Sequence, residues 1–103
     1  ASIEIHNNTA ITYNDPELVV QMLPTIQRAA GEVNVQTQNA VTGAEDFSYF
    51  QEKVPGFFFF LGGMTPGNSV SFPHHTPDFL IDDSGLLLGV KALTEMSLDY
   101  LNM

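Results

Sequence analysis

The run Phe57-Phe58-Phe59-Phe60-Leu61 constrains this chain more than any other segment. It has no alternation between a wet and a dry face, and Gly62-Gly63 stops it. A short apolar run bounded by glycines reads as a strand buried on both faces. Such a strand belongs to a sheet covered by helices on two sides. The chain is therefore expected to fold in layers of helix and sheet.

The flanking text supports that expectation. Residues Ala1 to His6 place Ile3 and Ile5 on one side and Ser2, Glu4 and His6 on the other, the pattern of a half-buried strand. Asp15-Pro16-Glu17 is a helix start: a capping carboxylate, a proline suited to the first helical position, and an acid complementing the helix dipole. Leu18, Val19, Met22, Leu23, Ile26 and Ala30 then form one apolar face. Pro24 is expected to kink this helix because it removes a hydrogen bond, and Gly31 to end it. Val33 to Thr37 reads as a short strand. Gly43 opens a tight turn into a short helix reaching about Lys53, and Val54-Pro55-Gly56 is a turn. Met64 to Pro73 is a loop, and Asp82, Asp83 and Ser84 offer caps for a long last helix striped by Leu86, Leu87, Val90, Leu93, Leu98 and Leu101. The alternation of strands and helices gives an α/β class.

Composition narrows the function. Hydrophobic residues make up 44% and charged residues 15%, which is apolar for a chain of 103 residues that has much surface to cover. This points to apolar faces that meet something else. Three Lys and Arg stand against 12 Asp and Glu, a net charge of −9. Phosphate backbones and anionic membrane surfaces both need cationic contacts, so no nucleic-acid partner and no membrane partner is expected. Cysteine is absent, which rules out disulfides and thiolate metal sites. No run approaches the roughly 18 apolar residues of a membrane span, and no charged n-region followed by an apolar core marks a signal peptide at the start.

Two clusters could carry chemistry. In His74-His75-Thr76-Pro77, Pro77 restricts Thr76 to extended conformations and holds the histidines at a loop tip beyond the apolar run. Neutral imidazole is a common metal ligand, but adjacent histidines point apart on an extended chain, so one of the two is expected to bind a given ion. The alternative is a pair of polar loop residues. In Gly43-Ala44-Glu45-Asp46-Phe47, two carboxylates follow a glycine turn. They could ligate a cation, raise one another's pKa, or complement a helix dipole. Asp82 and Asp83 read as caps and His6 as a solvated residue. Asn7-Asn8-Thr9 matches a glycosylation acceptor, a pattern too common to weigh. Ser48, Ser84 and Ser97 lack the Gly-x-Ser-x-Gly setting of a serine hydrolase.

Taken in order, Tyr13-Asn14-Asp15-Pro16-Glu17-Leu18, Gly43-Ala44-Glu45-Asp46-Phe47-Ser48-Tyr49-Phe50, Val54-Pro55-Gly56-Phe57-Phe58-Phe59-Phe60-Leu61-Gly62 and His75-Thr76-Pro77-Asp78-Phe79 closely resemble M20 amidohydrolases over essentially the whole chain. The nearest branch holds the N-acyl-amino-acid, hippurate and indole-acetyl-amino-acid hydrolases. The resemblance implies the C-terminal part of a three-layer α/β/α zinc-peptidase-like catalytic domain, with the last strand of an inserted lid domain at the N-terminus. Residues 1–12 would then close the lid or dimerisation domain and its linker, and residues 13–103 would belong to the catalytic domain.

That family holds two divalent metal ions, zinc or manganese, and hydrolyses amides such as N-acyl amino acids. The resemblance gives a metal role to His75 alone. Glu45, Asp46 and His74 would line the site or orient a ligand, and no catalytic residue is assigned in this chain. Most ligands and the glutamate base lie in the family's N-terminal half, so the expected partners are that half of the domain, a small N-acyl amino acid or peptide substrate, and further copies of the protein. The chain by itself is expected to be inactive, with its own metal content open. Its compartment is also open: cytoplasmic, or periplasmic if an upstream signal peptide exists. The competing reading is a non-catalytic binding or interaction module that self-associates through an exposed apolar face.

Overall fold

The computed structural model describes residues 1–6 and 9–103; of the glycosylation pattern at 7–9, the asparagines lie outside the described residues. Three α-helices are present, α1 (Pro16–Ala30), α2 (Phe47–Gln51) and α3 (Leu86–Leu101), with short 3-10 turns at Glu32–Asn34 and Asp83–Gly85. The chain divides into two compact units, one of residues 1–24 and 36–59, the other of residues 25–35 and 60–103.

In the first unit, α1 starts where the sequence placed it. The Asp15 carboxylate accepts the Leu18 amide at 2.9 Å, and the Asp15 carbonyl accepts from Val19. Both bonds satisfy first-turn geometry that would otherwise be left to water. Met22 is buried to 2% exposure. The helix continues through Pro24, whose missing N–H leaves the Val20 carbonyl without its helical donor. Before the helix, residues 13–15 are tied to residues 51–58. Tyr13 N donates to Gln51 Oε1 at 2.9 Å and Asp15 N to the Gly56 carbonyl at 3.0 Å. The Asn14 side chain brackets Phe58, its Nδ2 donating to the Phe58 carbonyl and its Oδ1 accepting the Phe58 amide, both at 2.7 Å. The Phe47 ring of α2 lies 5.8 Å from that of Phe58.

In the second unit, the last turns of α1 face α3. Ile26, Ala29 and Ala92 are its buried apolar residues, and Thr25 is buried beside them. Thr25 Oγ1 donates to Asp99 Oδ2 at 2.5 Å, and Arg28 reaches the same oxygen at 2.6 Å. Arg28 Nε also stands 3.5 Å from Glu95, and Lys91 donates to the Ala29 carbonyl at 3.1 Å. The Thr25 hydroxyl first, and Arg28 after it, hold the Asp99 carboxyl below the usual carboxylate range. The hydrogen bond to Asp99 in turn raises Arg28. Gly31 ends α1 at φ 86°, a left-handed position where glycine carries no Cβ penalty, and Asn34 Nδ2 takes up the Ala30 carbonyl at 2.8 Å.

Helix α3 has two apolar faces. Its inner side carries Leu88, Ala92 and Met96, half-buried or buried. Its outer side carries the stripe read from the sequence, with Leu87 and Leu101 each 78% exposed and Val90 63%. The chain as a whole exposes 8687 Å². A folded body of its 11.3 kDa would expose about 5,700 Å², and two separate bodies of half that mass about 6,900 Å² together. The exposed area exceeds both figures.

The strands are where sequence and structure part. Among the described residues no strand is assigned. Residues 1–6 have no regular structure, with Ile3 and Ile5 each 86% exposed. Val33 and Asn34 sit in a 3-10 turn rather than a strand. The Phe57–Phe59 segment is half-buried and Phe60 is 60% exposed, so the run is not buried on both faces. The cause is common to all three. A strand's amides and carbonyls are satisfied by a neighbouring backbone, and at Phe58 a side chain, Asn14, fills that place on one side.

Candidate functional site

The two histidines occupy a pair of consecutive turns in the second unit. Residues 73–76 form the first, closed from the side chain by Thr76 Oγ1 donating to the Pro73 carbonyl at 2.8 Å. Residues 76–79 form the second, with the Phe79 amide donating to the Thr76 carbonyl at 3.1 Å. Pro77 stands at the second position of this turn, which its fixed φ suits. The sequence had read Pro77 only as a stiffener of Thr76; it also starts the turn that brings Phe79 back.

His75 has φ 65° and is the one non-glycine residue with positive φ among those described. The left-handed region costs an ordinary residue about 1–3 kcal/mol, less for histidine, which is enriched there. The conformation separates two neighbouring imidazoles. His74 meets the Phe79 ring edge-to-face, with centroids 4.6 Å apart and planes at 72°. His75 is exposed, 6.3 Å from His74, and neither of its ring nitrogens makes a hydrogen bond among the described residues. Both histidines are exposed, and they differ in that the His74 ring packs on Phe79 while the His75 ring has no ring partner but His74 among the described residues.

The carboxylates of Glu45 and Asp46 belong to the first unit. Both residues are exposed, and neither carboxylate has a hydrogen-bond partner among the described residues. Their backbone, not their side chains, builds the turn into α2. The Glu45 carbonyl accepts from the Ser48 amide at 3.1 Å and the Ser48 hydroxyl at 2.7 Å, and Ser48 is fully buried. Asp46 stands at the N-cap of α2 without a side-chain capping bond. Asp82 does cap, accepting from the Ser84 amide at 2.8 Å, and that pairing with Ser84 lowers its pKa. His6 lies 3.5 Å from Glu4 with both side chains exposed.

The first unit also holds an open depression of about 290 Å³ bordered by Tyr13, Asp15, Gln51 and Lys53. Gln51 Nε2 is buried there with no hydrogen-bond partner among the described residues. None of the residues expected at the site lines this depression.

As a metal ligand, His75 fits the part of one donor: an accessible, uncommitted imidazole on a turn held by bonds on both sides. It does not fit the part of a whole site. Among the described residues no group of three or more His, Cys, Asp or Glu side chains is arranged to hold an ion, and a catalytic zinc takes about three protein ligands. Among the same residues no helix is long and apolar enough to cross a membrane.

Comparison with known proteins identifies the family. The chain is 33% identical over 92 residues to thermostable carboxypeptidase 2 of Saccharolobus solfataricus, covering 89% of this chain and 23% of that protein. It is 31% identical over 90 residues to IAA-amino acid hydrolase ILR1-like 2 of Arabidopsis thaliana, covering 87% of this chain and 20% of the relative. It is 40% identical over 62 residues to N-acetyldiaminopimelate deacetylase of Halalkalibacterium halodurans, covering 60% and 16%. The chain thus spans less than a quarter of the length of these relatives. No solved structure matches it. The sequence profile described as peptidase family M20/M25/M40 matches residues 1–99, and the chain belongs to that family.

Proposed function

We propose that this chain is the part of a metal-dependent amidohydrolase that presents one imidazole ligand, His75, to a divalent metal site completed elsewhere in the protein. The observation that carries this reading is the exposed, uncommitted His75 ring on a left-handed turn, in a chain that belongs to the M20 family. Zinc or manganese bound there would lower the pKa of a water and polarise the scissile carbonyl. This chain's own share is narrower. His75 holds one coordination position, the turns around it keep that ring outward, and Glu45 and Asp46 offer carboxylates for a substrate pocket or for orienting a ligand.

The relatives' names suggest the substrate class. A carboxypeptidase, an IAA-amino acid hydrolase and an N-acetyldiaminopimelate deacetylase all cleave an amide next to an amino acid. We assign this protein an N-acyl amino acid or short peptide of the same kind. The α/β class belongs to the same proposal: residues 1–6 and 57–61 become strands where backbone from the rest of the domain lies beside them, residues 1–12 ending a lid domain.

The test is His75→Ala in the intact protein. Loss of bound metal and of amidase activity is expected; full metal content with unchanged turnover overturns the assignment. The 103-residue chain alone, supplied with zinc or manganese, is expected to show no amide hydrolysis, and measurable turnover would show that its catalytic groups lie within it.

A second reading rests on the uncovered outer face of α3. Here the chain acts as an interaction module that pairs with itself through that face. The two readings differ at His75, whose substitution leaves an interaction module unaffected.

A further inference from the structure

We infer that His74 and Phe79 are positioning residues for His75, acting through ring packing rather than by binding metal. The inference rests on the assignment of His75 above. A left-handed histidine persists only where its surroundings over-determine it. Three contacts do so here: Thr76 Oγ1 to the Pro73 carbonyl at 2.8 Å, Phe79 N to the Thr76 carbonyl at 3.1 Å, and the His74–Phe79 ring pair at 4.6 Å. The first two close the two turns. The third joins their far ends, because His74 lies inside the first turn and Phe79 ends the second. It is the contact that stops the double turn from uncoiling and so keeps His75 from relaxing to negative φ. An edge-to-face pair of this kind prefers a defined orientation, so it fixes direction as well as distance.

The two adjacent imidazoles differ in role. His75 needs its nitrogens. His74 needs only an aromatic ring of about its size, so phenylalanine should replace it. Phe79 is exposed to 40%, which leaves room for the ring of tyrosine in its place.

The experiment measures zinc affinity of the intact protein by competition with a chelator, alongside the thermal midpoint of the metal-free form. His74→Ala and Phe79→Ala are expected to weaken zinc binding about tenfold or more, the usual cost of removing a residue that orients a ligand. The metal-free midpoint should barely move. His74→Phe and Phe79→Tyr are expected to restore affinity to near the parent value. If His74→Phe is as damaging as His74→Ala while Phe79→Ala binds normally, His74 works through its nitrogens and the inference falls. It falls equally if neither alanine variant weakens binding while His75→Ala does, an outcome that leaves the assignment of His75 standing. Retention of zinc by His75→Ala strikes the assignment itself.

Discussion

The outer face of α3 yields a prediction that can be worked through to a number. Leu86, Leu87, Val90, Leu93, Leu98 and Leu101 are 51%, 78%, 63%, 59%, 55% and 78% exposed. At about 2 kcal/mol for each side chain fully buried, covering what remains exposed contributes about 8 kcal/mol per copy, or about 15 kcal/mol for a symmetric pair. Against an association cost of about 10 kcal/mol, about 5 kcal/mol remains, a Kd near 10⁻⁴ M. The 103-residue chain should therefore pair reversibly at hundreds of micromolar. The critical variant is Leu87→Lys, at one of the two most exposed positions. It removes about 1.5 kcal/mol per copy, about 3 kcal/mol per pair, and should weaken pairing about a hundredfold. Sedimentation velocity across a concentration series reads both effects. A chain that stays monomeric at millimolar concentration, or a Leu87→Lys variant that pairs as well as the parent, would show that this face is not what drives association.

Two further predictions use the polar contacts. His75→Gly relieves the Cβ strain at φ 65° but adds backbone entropy to the unfolded chain, so it should leave thermal stability within about 1 kcal/mol of the parent while abolishing metal binding in the intact protein; a larger loss of stability would mean that the imidazole packs rather than projects. Asp99, its folded pKa lowered by Thr25 and Arg28, binds a proton less readily when folded than when unfolded. Its contribution is present above the ordinary carboxylate pKa near 4 and is lost as pH falls through the depressed folded value. Asp99→Asn should flatten the stability profile below about pH 4, and urea titrations showing the parent's full acid slope in the variant would refute this.

What was legible in the sequence follows from the range over which each signal acts. The start of α1 was legible because capping needs only Asp15, Pro16 and Leu18, all within one turn. Gly31 was legible for the same reason, whereas Asp82 caps the 3-10 turn Asp83–Gly85 ahead of α3 and not α3 itself, which follows Gly85 without a side-chain cap. The strands were not, because apolar alternation states that a segment would suit a sheet, while the sheet itself requires a second backbone. The stripe on α3 was read correctly as apolar, but periodicity does not say which of two apolar faces is covered. Thr25 and Ala29, buried in the second unit, were missed from the α1 face: Thr25 is polar, and the face was drawn through Ala30, which is only half-buried, instead of its neighbour Ala29. At the site, the motif pointed to His75, but not to its left-handed backbone or to the pairing of His74 with Phe79. That pairing depends on two turns in series, although Pro77 at the head of the second was a usable signal.

The bracket formed by Asn14 has a consequence for how this chain keeps itself apart. Phe57 to Leu61 is the kind of uncharged, aromatic-rich segment that stacks into intermolecular sheets when its backbone is open. A single amide side chain already occupies both the amide and the carbonyl of Phe58, the second residue of that segment. An incoming strand must evict it before it can zip along the phenylalanines. One asparagine thus acts as a latch on the most adhesive stretch of the molecule, protecting it by occupation rather than by repulsion.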